Sequence, residues 1–172
     1  MSGTSLPHPA ALPAEMLAAE CTIQRTRRAG PGGQHRNKVE TAVRIEHRPT
    51  GISAEASERR SQRENHNAAL FRLRLRLAIE IRRPAILPYS PSLLWLSRSR
   101  GGKIAVNSAH DDFPAILAEV LDVVSNCEND LRSAAVMLGC TASQLTKLIQ
   151  QEPRAIAQVN LARQQQGLHK LK

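Results

Sequence analysis

Apolar residues follow one spacing early in this chain and a different one later. From Cys21 to Arg27, Cys21 and Ile23 alternate with Thr22 and Gln24, the two-residue period of a strand. Val39, Thr41, Val43 and Ile45 repeat that period opposite Arg44 and Glu46, and Ile52, Ala54 and Ala56 repeat it again. Between the last two lies Arg48-Pro49-Thr50-Gly51, with Pro second and Gly fourth as a turn favours, so a hairpin is expected.

From Ser61 the period lengthens. Ser61-Gln62-Arg63-Glu64 has the spacing of a capping box, in which Ser and Glu satisfy the first free amides of a helix. Leu70 to Leu77 alternates Leu with Arg, as a strand would. Yet the run has no β-branched residue and is dominated by strong helix formers, so a helix from about Ser61 to Arg83 is expected, ended by Pro84. Asp112 before Phe113-Pro114 reads as an N-cap and an early helical proline. Phe113, Ile116, Leu117, Val120, Leu121 and Val124 then mark one apolar helical face. Three shorter helices are expected to follow. The first is Leu131–Leu138, closed by Gly139. The next is capped by Thr141 or Ser143 and carries Leu145, Leu148 and Ile149. The last is opened by Pro153, with Ile156, Val159 and Ala162 inward, and ends near Gly167.

This pattern implies an α+β fold in parts. Residues 1–19, with three prolines in the first 13, read as a disordered tail. Residues 20–83 read as a small domain of strands packed on a long helix. Residues 84–112 carry Pro84, Pro88, Pro91 and Gly101-Gly102 and read as a connector, with a short extended piece at Lys103 to Val106. Residues 113–167 read as an all-α module and 168–172 as a short basic tail.

Charge sharpens the picture. Residues 1–83 hold 15 Lys/Arg against 8 Asp/Glu, a net +7, whereas residues 84–172 hold 9 against 7, a net +2. A concentrated, arginine-led excess points to a polyanion, most often nucleic acid. No run approaches the roughly 20 apolar residues of a membrane span, and no secretion leader is recognisable at the start, so a cytoplasmic setting without membrane contact is expected. Cys21, Cys127 and Cys140 are odd in number and widely spaced; they form neither a metal pair nor a disulfide framework. No metal site and no cofactor are expected.

The chemistry lies in Gly30-Pro31-Gly32-Gly33-Gln34, a run no regular element tolerates. Adjacent glycines let the main chain approach a ligand closely, with unshielded amides as donors. Such donors stabilise an oxyanion, and losing one typically lowers a rate by roughly 10²–10³. Gln34 adds a neutral amide able to orient water. Arg25, Arg27, Arg28, Arg36 and Lys38 surround the run, and no triad, carboxylate pair or metal cluster accompanies it. Flexible amides, no general base and dense positive charge describe a loop that acts inside another molecule's active site.

The stretch Arg27-Arg28-Ala29-Gly30-Pro31-Gly32-Gly33-Gln34-His35-Arg36-Asn37-Lys38 resembles the catalytic loop of class I peptide-chain release factors. Val43-Arg44-Ile45, His47, Pro49-Thr50-Gly51-Ile52, Arg60-Ser61-Gln62 and Asn65 follow at that family's spacing, so the resemblance covers about residues 20–83. It implies that Gly32, Gly33 and Gln34 are catalytic in hydrolysis of the peptidyl-tRNA ester within the ribosomal peptidyl transferase centre. The Gln34 amide would stabilise the transition state. Arg27, Arg28, His35, Arg36, Asn37 and Lys38 would contact rRNA of the large subunit or the tRNA end. Gln34 would be the site of N5-methylation by a glutamine methyltransferase. Pro31 in place of a frequent Ala, and Arg36 in place of a usual Val, depart from stop-codon factors. Those factors also place a codon-reading domain, on the order of 100 residues, ahead of the loop. Here 33 residues precede Gln34, so codon-independent action of the ribosome-rescue type is expected.

Ala134 to Ile149 is similar to a helix-turn-helix, with Ala135 small, Gly139 at the turn and Leu145 six residues on. Helix packing and nucleic-acid contact both remain open for it. The alternative function is a non-enzymatic nucleic-acid- or ribosome-binding regulator that uses this module and the arginine-rich helix.

Overall fold

The computed structural model describes residues 7–26, 42–84 and 88–172. The chain divides into two compact units, one of residues 9–77 and one of residues 1–8 with 78–172.

In the first unit a turn of 3-10 helix at Pro9–Ala11 and helix α1 (Ala14–Ala19) precede strand β1 (Cys21–Thr26). Strands β2 (Ala42–His47) and β3 (Ile52–Ala56) complete an antiparallel sheet in the order β1-β2-β3. Helix α2 (Gln62–Glu80) follows, and its last three residues belong to the second unit. The two-residue period decides the faces: Val43, Ile45, His47, Ile52, Ala54 and Ala56 are buried, while Arg44 and Glu55 are exposed. The expected hairpin turn forms, with Gly51 at φ +69° and its amide donating to His47 O at 2.8 Å. A side chain is disfavoured at that positive φ, which is what glycine supplies here.

The Leu/Arg run is helical, and its arginines explain the strand-like alternation. Ala69, Leu73 and Leu77 lie fully buried at four-residue spacing, while the intervening arginines turn aside to bind main-chain carbonyls. Arg72 Nη1 donates to Glu55 O at 2.8 Å, and Arg76 Nη1 donates to Ser53 O. Arg74 holds Ala10 O and Leu12 O, both at 3.1 Å. This overturns the expectation of a disordered tail for the described residues up to Ala19. Ala10, Leu12 and Leu17 are buried, and Arg74 donates to the main-chain carbonyls of this segment.

The start of α2 carries a second anchor. Glu64 N donates to Ser61 Oγ at 3.4 Å, the expected cap. Asn65, fully buried, accepts from Arg59 N at 2.9 Å and donates to Arg59 O at 3.0 Å. One side chain thereby replaces a strand partner for the segment that leaves β3.

In the second unit helix α3 (Leu93–Arg98) and a two-stranded ribbon, β4 (Ser99–Arg100) with β5 (Lys103–Ile104), occupy the stretch expected as connector. The reason is polar lacing onto the next helix. Helix α4 (Phe113–Asn126) is buried on nearly all sides rather than on one face, because Ala115, Ala118 and Val123 are apolar as well. Its two acidic side chains receive the connector and the residue just before it. Asp122 accepts from Arg83 N at 2.9 Å, and Glu119 accepts from Tyr89 OH at 2.8 Å and Ser92 N at 2.7 Å. Trp95 is buried and donates Nε1–H to Leu138 O at 2.8 Å. Asp112 takes the N-cap position in helical geometry without a capping bond; Arg98 occupies its carboxylate instead.

Helices α5 (Leu131–Leu138), α6 (Ala142–Gln150) and α7 (Pro153–Gln165) have the expected bounds, with Gly139 at φ +65° closing α5 and Thr141 capping α6. On α7 the buried positions are Ala155 and Val159, with Ile156 and Ala162 at the margin. The basic tail is tied back: Asn160 Oδ1 accepts from Leu171 N at 2.7 Å and Arg163 Nε donates to His169 O at 2.8 Å.

Two predictions follow from these anchors. Asn65→Ala removes both partners of the Arg59 main chain and should lower unfolding free energy by about 2–3 kcal/mol in urea titration; a loss below about 0.5 kcal/mol would contradict the anchoring role. The second concerns pH. Burial holds His8 down to about 4 from 6.5, and burial pushes Asp122 up to about 6 from 3.8. Neutral His8 favours the fold above pH 6.5, an advantage lost as pH falls towards 4. Protonated Asp122 favours the fold at low pH, an advantage lost as pH rises through 6. The two offset each other in between. Asp122→Asn should therefore lose stability relative to the parent progressively as pH drops from 6.5 to 4, read as thermal midpoints. A constant difference between the two curves would contradict it.

Candidate functional site

Gly32, Gly33 and Gln34, together with Arg27, Arg28, His35, Arg36, Asn37 and Lys38, lie outside the described residues. What the structure defines is the platform from which residues 27–41 depart and to which they return.

That platform is the last rung of the β1–β2 ladder, where Thr26 faces Ala42. Hydrogen-bonded and non-bonded pairs alternate along an antiparallel ladder. Arg48 N donates to Glu20 O at 3.0 Å, which makes Glu20/Arg48 a bonded pair and so, counting in twos, Thr22/Glu46, Gln24/Arg44 and Thr26/Ala42. The connection therefore starts and ends on one hydrogen-bonded pair, about 5.5 Å apart between Cα atoms.

The other end of the ladder is locked separately. Buried His47 sits between Glu20 and Thr50, with Nε2 at 2.9 Å from Glu20 Oε2 and Nδ1 at 2.8 Å from Thr50 Oγ1. Arg48 adds bonds to Cys21 O at 3.0 Å and Ala19 O at 2.7 Å. The His47 and Pro49-Thr50-Gly51 motifs thus stand five rungs from the loop, about 17 Å at strand rise, and serve the turn, not the chemistry.

Positive charge collects at the loop end. Val43 pairs with both Arg25 and Ala56, so the segment leaving β3 emerges at the same end of the sheet as residues 27–41. Arg25, Arg59, Arg60 and Arg63 are exposed there. Glu58 is engaged by Arg72, at 2.6 Å between Oε1 and Nη2. Its own amide, and then Arg72, hold its carboxyl below the usual range. Arg72, Arg74 and Arg76 are committed to carbonyls, whereas Arg63, at the start of the same helix, is exposed.

The thiols offer no nucleophile. Burial pushes Cys21 and Cys127 up, and pushes Cys140 up to about 11, so all three stay protonated at neutral pH. Among the described residues no cluster of His, Cys, Asp or Glu could hold a metal, and no helix is long and apolar enough to cross a membrane. In the helix-turn-helix-like segment Ala135 and Leu145 are buried as packing requires, and the exposed side chains of α6 are Ser143, Lys147 and Gln150.

Sequence reasoning missed Glu20 as the partner of His47 and Arg59 as the partner of Asn65. The first was accessible once Cys21 was set against His47, since Glu20 is the next residue out. The second had no local signal, because a side chain that bonds main chain six residues away leaves no periodicity.

Residues 12–85 match the RF-1 domain. The chain is 48% identical over 65 residues to the chloroplastic peptide chain release factor PrfB1 of Arabidopsis thaliana, covering 38% of this chain and 14% of that protein. It is 46% identical over 63 residues to peptide chain release factor 1 of Caldicellulosiruptor saccharolyticus, covering 37% and 18%. It is 40% identical over 77 residues to the mitochondrial peptide chain release factor 1-like protein of Rattus norvegicus, covering 45% and 21%. The chain therefore matches at most about a fifth of the length of these three relatives, and within that length what it resembles is peptide chain release factors.

Proposed function

We propose that this protein promotes hydrolysis of the peptidyl-tRNA ester in the ribosomal peptidyl transferase centre, with Gly32, Gly33 and Gln34 as the catalytic residues. The observation that carries the reading is the Arg27–Lys38 run, glycine-rich and basic, inside a segment matched to the RF-1 domain. In this mechanism the Gln34 main-chain amide donates to the oxyanion that forms as water attacks the ester carbonyl. An amide held at the developing charge lowers the barrier without any proton transfer by the protein, which suits a loop lacking a general base. Gly32 and Gly33 allow the backbone to reach that position, and the Gln34 side chain narrows the space to the size of water. Arg27, Arg28, His35, Arg36, Asn37 and Lys38 hold the loop against rRNA and the tRNA end, with Arg25, Arg59, Arg60 and Arg63 extending the positive field. N5-methylation of Gln34 by a glutamine methyltransferase belongs to the same proposal, as does action in the compartment where the ribosomes are, taken here as the cytoplasm.

Release is read as independent of the codon, of the ribosome-rescue type. Supporting this, residues 9–20 fold onto the first unit, and helices α4, α5 and α6 bury Ile116, Leu121, Leu138, Leu145 and Ile149 in the second. The helical module would orient the protein on the ribosome.

Purified ribosomes holding peptidyl-tRNA, on mRNA that is truncated or places a sense or stop codon in the A site, test both parts. Comparable release is expected in all three cases. Gly33→Ala should lower the rate at least a hundredfold with ribosome binding retained, because a Cβ restricts the backbone. Parent-like release by Gly33→Ala would remove the catalytic assignment. A tenfold preference for stop codons, about 1.4 kcal/mol, would remove codon independence alone.

A further inference from the structure

We propose that the outer edge of β1 is a docking site for an extended, acidic segment of a protein partner, which adds to the sheet as a fourth strand beside Ile23 and Arg25. The inference follows from how the two edges of the sheet are treated. Because Thr22, Gln24 and Thr26 pair with β2, the amides and carbonyls of Cys21, Ile23 and Arg25 point the other way. By the same count Val43, Ile45 and His47 bond to β3, so Ser53 and Glu55 point outward at the opposite edge. The carbonyls of that edge are capped: Arg76 takes Ser53 O and Arg72 takes Glu55 O. On β1, among the described residues, only the Cys21 carbonyl is taken in this way, by Arg48 at 3.0 Å. Among the described residues no arginine caps the main-chain groups of Ile23 and Arg25, the feature proteins ordinarily blunt because it invites another strand.

The side chains at this edge fit a partner. Ile23 shares the core-facing side with Ile45 but is 42% exposed, a large apolar residue without full cover. Arg25, next on the same side, is exposed and positive. An incoming strand would add main-chain hydrogen bonds, an apolar contact at Ile23 and a carboxylate opposite Arg25. The unit around the edge reinforces that sign, with 13 Lys/Arg against 7 Asp/Glu in residues 9–77.

A second copy of this chain fits poorly. An antiparallel pairing of β1 with itself, centred on Ile23, sets each Arg25 against the partner's Cys21 position, where Arg48 already stands. Two guanidiniums would meet at each end, in a protein of net charge +9. RNA does not fit an edge of alternating amides and carbonyls at strand spacing. The proposal stands on the sheet alone and does not depend on the release activity.

The probe is a fluorescent, end-capped peptide of alternating Glu and Val, five residues long, titrated into the full chain. Its counterpart carries N-methyl groups on alternate amides, which keeps charge and side chains but removes the hydrogen bonds. Saturable binding is expected, at least tenfold weaker for the N-methylated peptide, with slowed hydrogen exchange at the Ile23 and Arg25 amides. Ile23→Pro deletes an outward amide and leaves the β2 ladder intact, so it should weaken binding at least tenfold; Arg25→Glu should do so through charge. If the proline variant fails to fold, the two peptides on the parent chain still decide. No binding, equal binding of both peptides, protection elsewhere, or self-association that protects Ile23 would each overturn the proposal.

Discussion

Thr26 and Ala42 face each other on the last rung of the β1–β2 ladder, and the proposed chemistry depends on keeping them there. Residues 27–41, rich in glycine and arginine, are joined at both ends to strands whose pairing fixes where they leave and return. The burial of Val43 and Ile45 holds β2 in place, and β2 bonds to both neighbours. A slip of one residue would turn Val43 and Ile45 to solvent and bury Arg44 and Glu46, so the register is strongly specified. At the far end Glu20, His47 and Thr50 close the turn, and near the loop Asn65 fixes the exit from β3. The first lock joins side chains across the turn and the second holds main chain, so both ends of the sheet are fixed without aromatic packing.

Arginine does two different jobs in this unit. Arg48, Arg72, Arg74 and Arg76 are consumed by carbonyls at strand edges and in the N-terminal segment. The planar fork of the guanidinium suits this, since one side chain can serve two acceptors, as Arg48 and Arg74 do. Arg25, Arg59, Arg60 and Arg63 are exposed at the loop end. Net charge alone therefore overstates the surface available to a polyanion, and the position of each arginine in the ladder is what separates the two groups.

Much of this was legible in the sequence. The alternation through Val43–Ile45 and Ile52–Ala56 fixed strands and faces, because burial on one side of a sheet writes itself at period two. Helix ends at Gly139, Thr141 and Pro153 were legible because caps act within a few residues. What stayed hidden was long-range. Residues 9–19 looked like a tail because their order comes from Arg74, more than sixty positions away. Residues 88–112 looked like a connector because Glu119 holds Tyr89 and Ser92, and prolines in sequence say nothing of acceptors on a later helix. Asn65 and His47 were visible only as matches until the ladder gave them work.

The central claim is that this loop reaches the ester bond itself. The most direct measurement places a photoreactive benzoyl-phenylalanine at position 35, beside Gln34, and maps its crosslinks on ribosomes carrying peptidyl-tRNA. Crosslinks to the 3′ end of that tRNA and to rRNA of the peptidyl transferase centre are expected. Crosslinks confined to the small subunit, or to ribosomal proteins distant from that centre, would contradict the account.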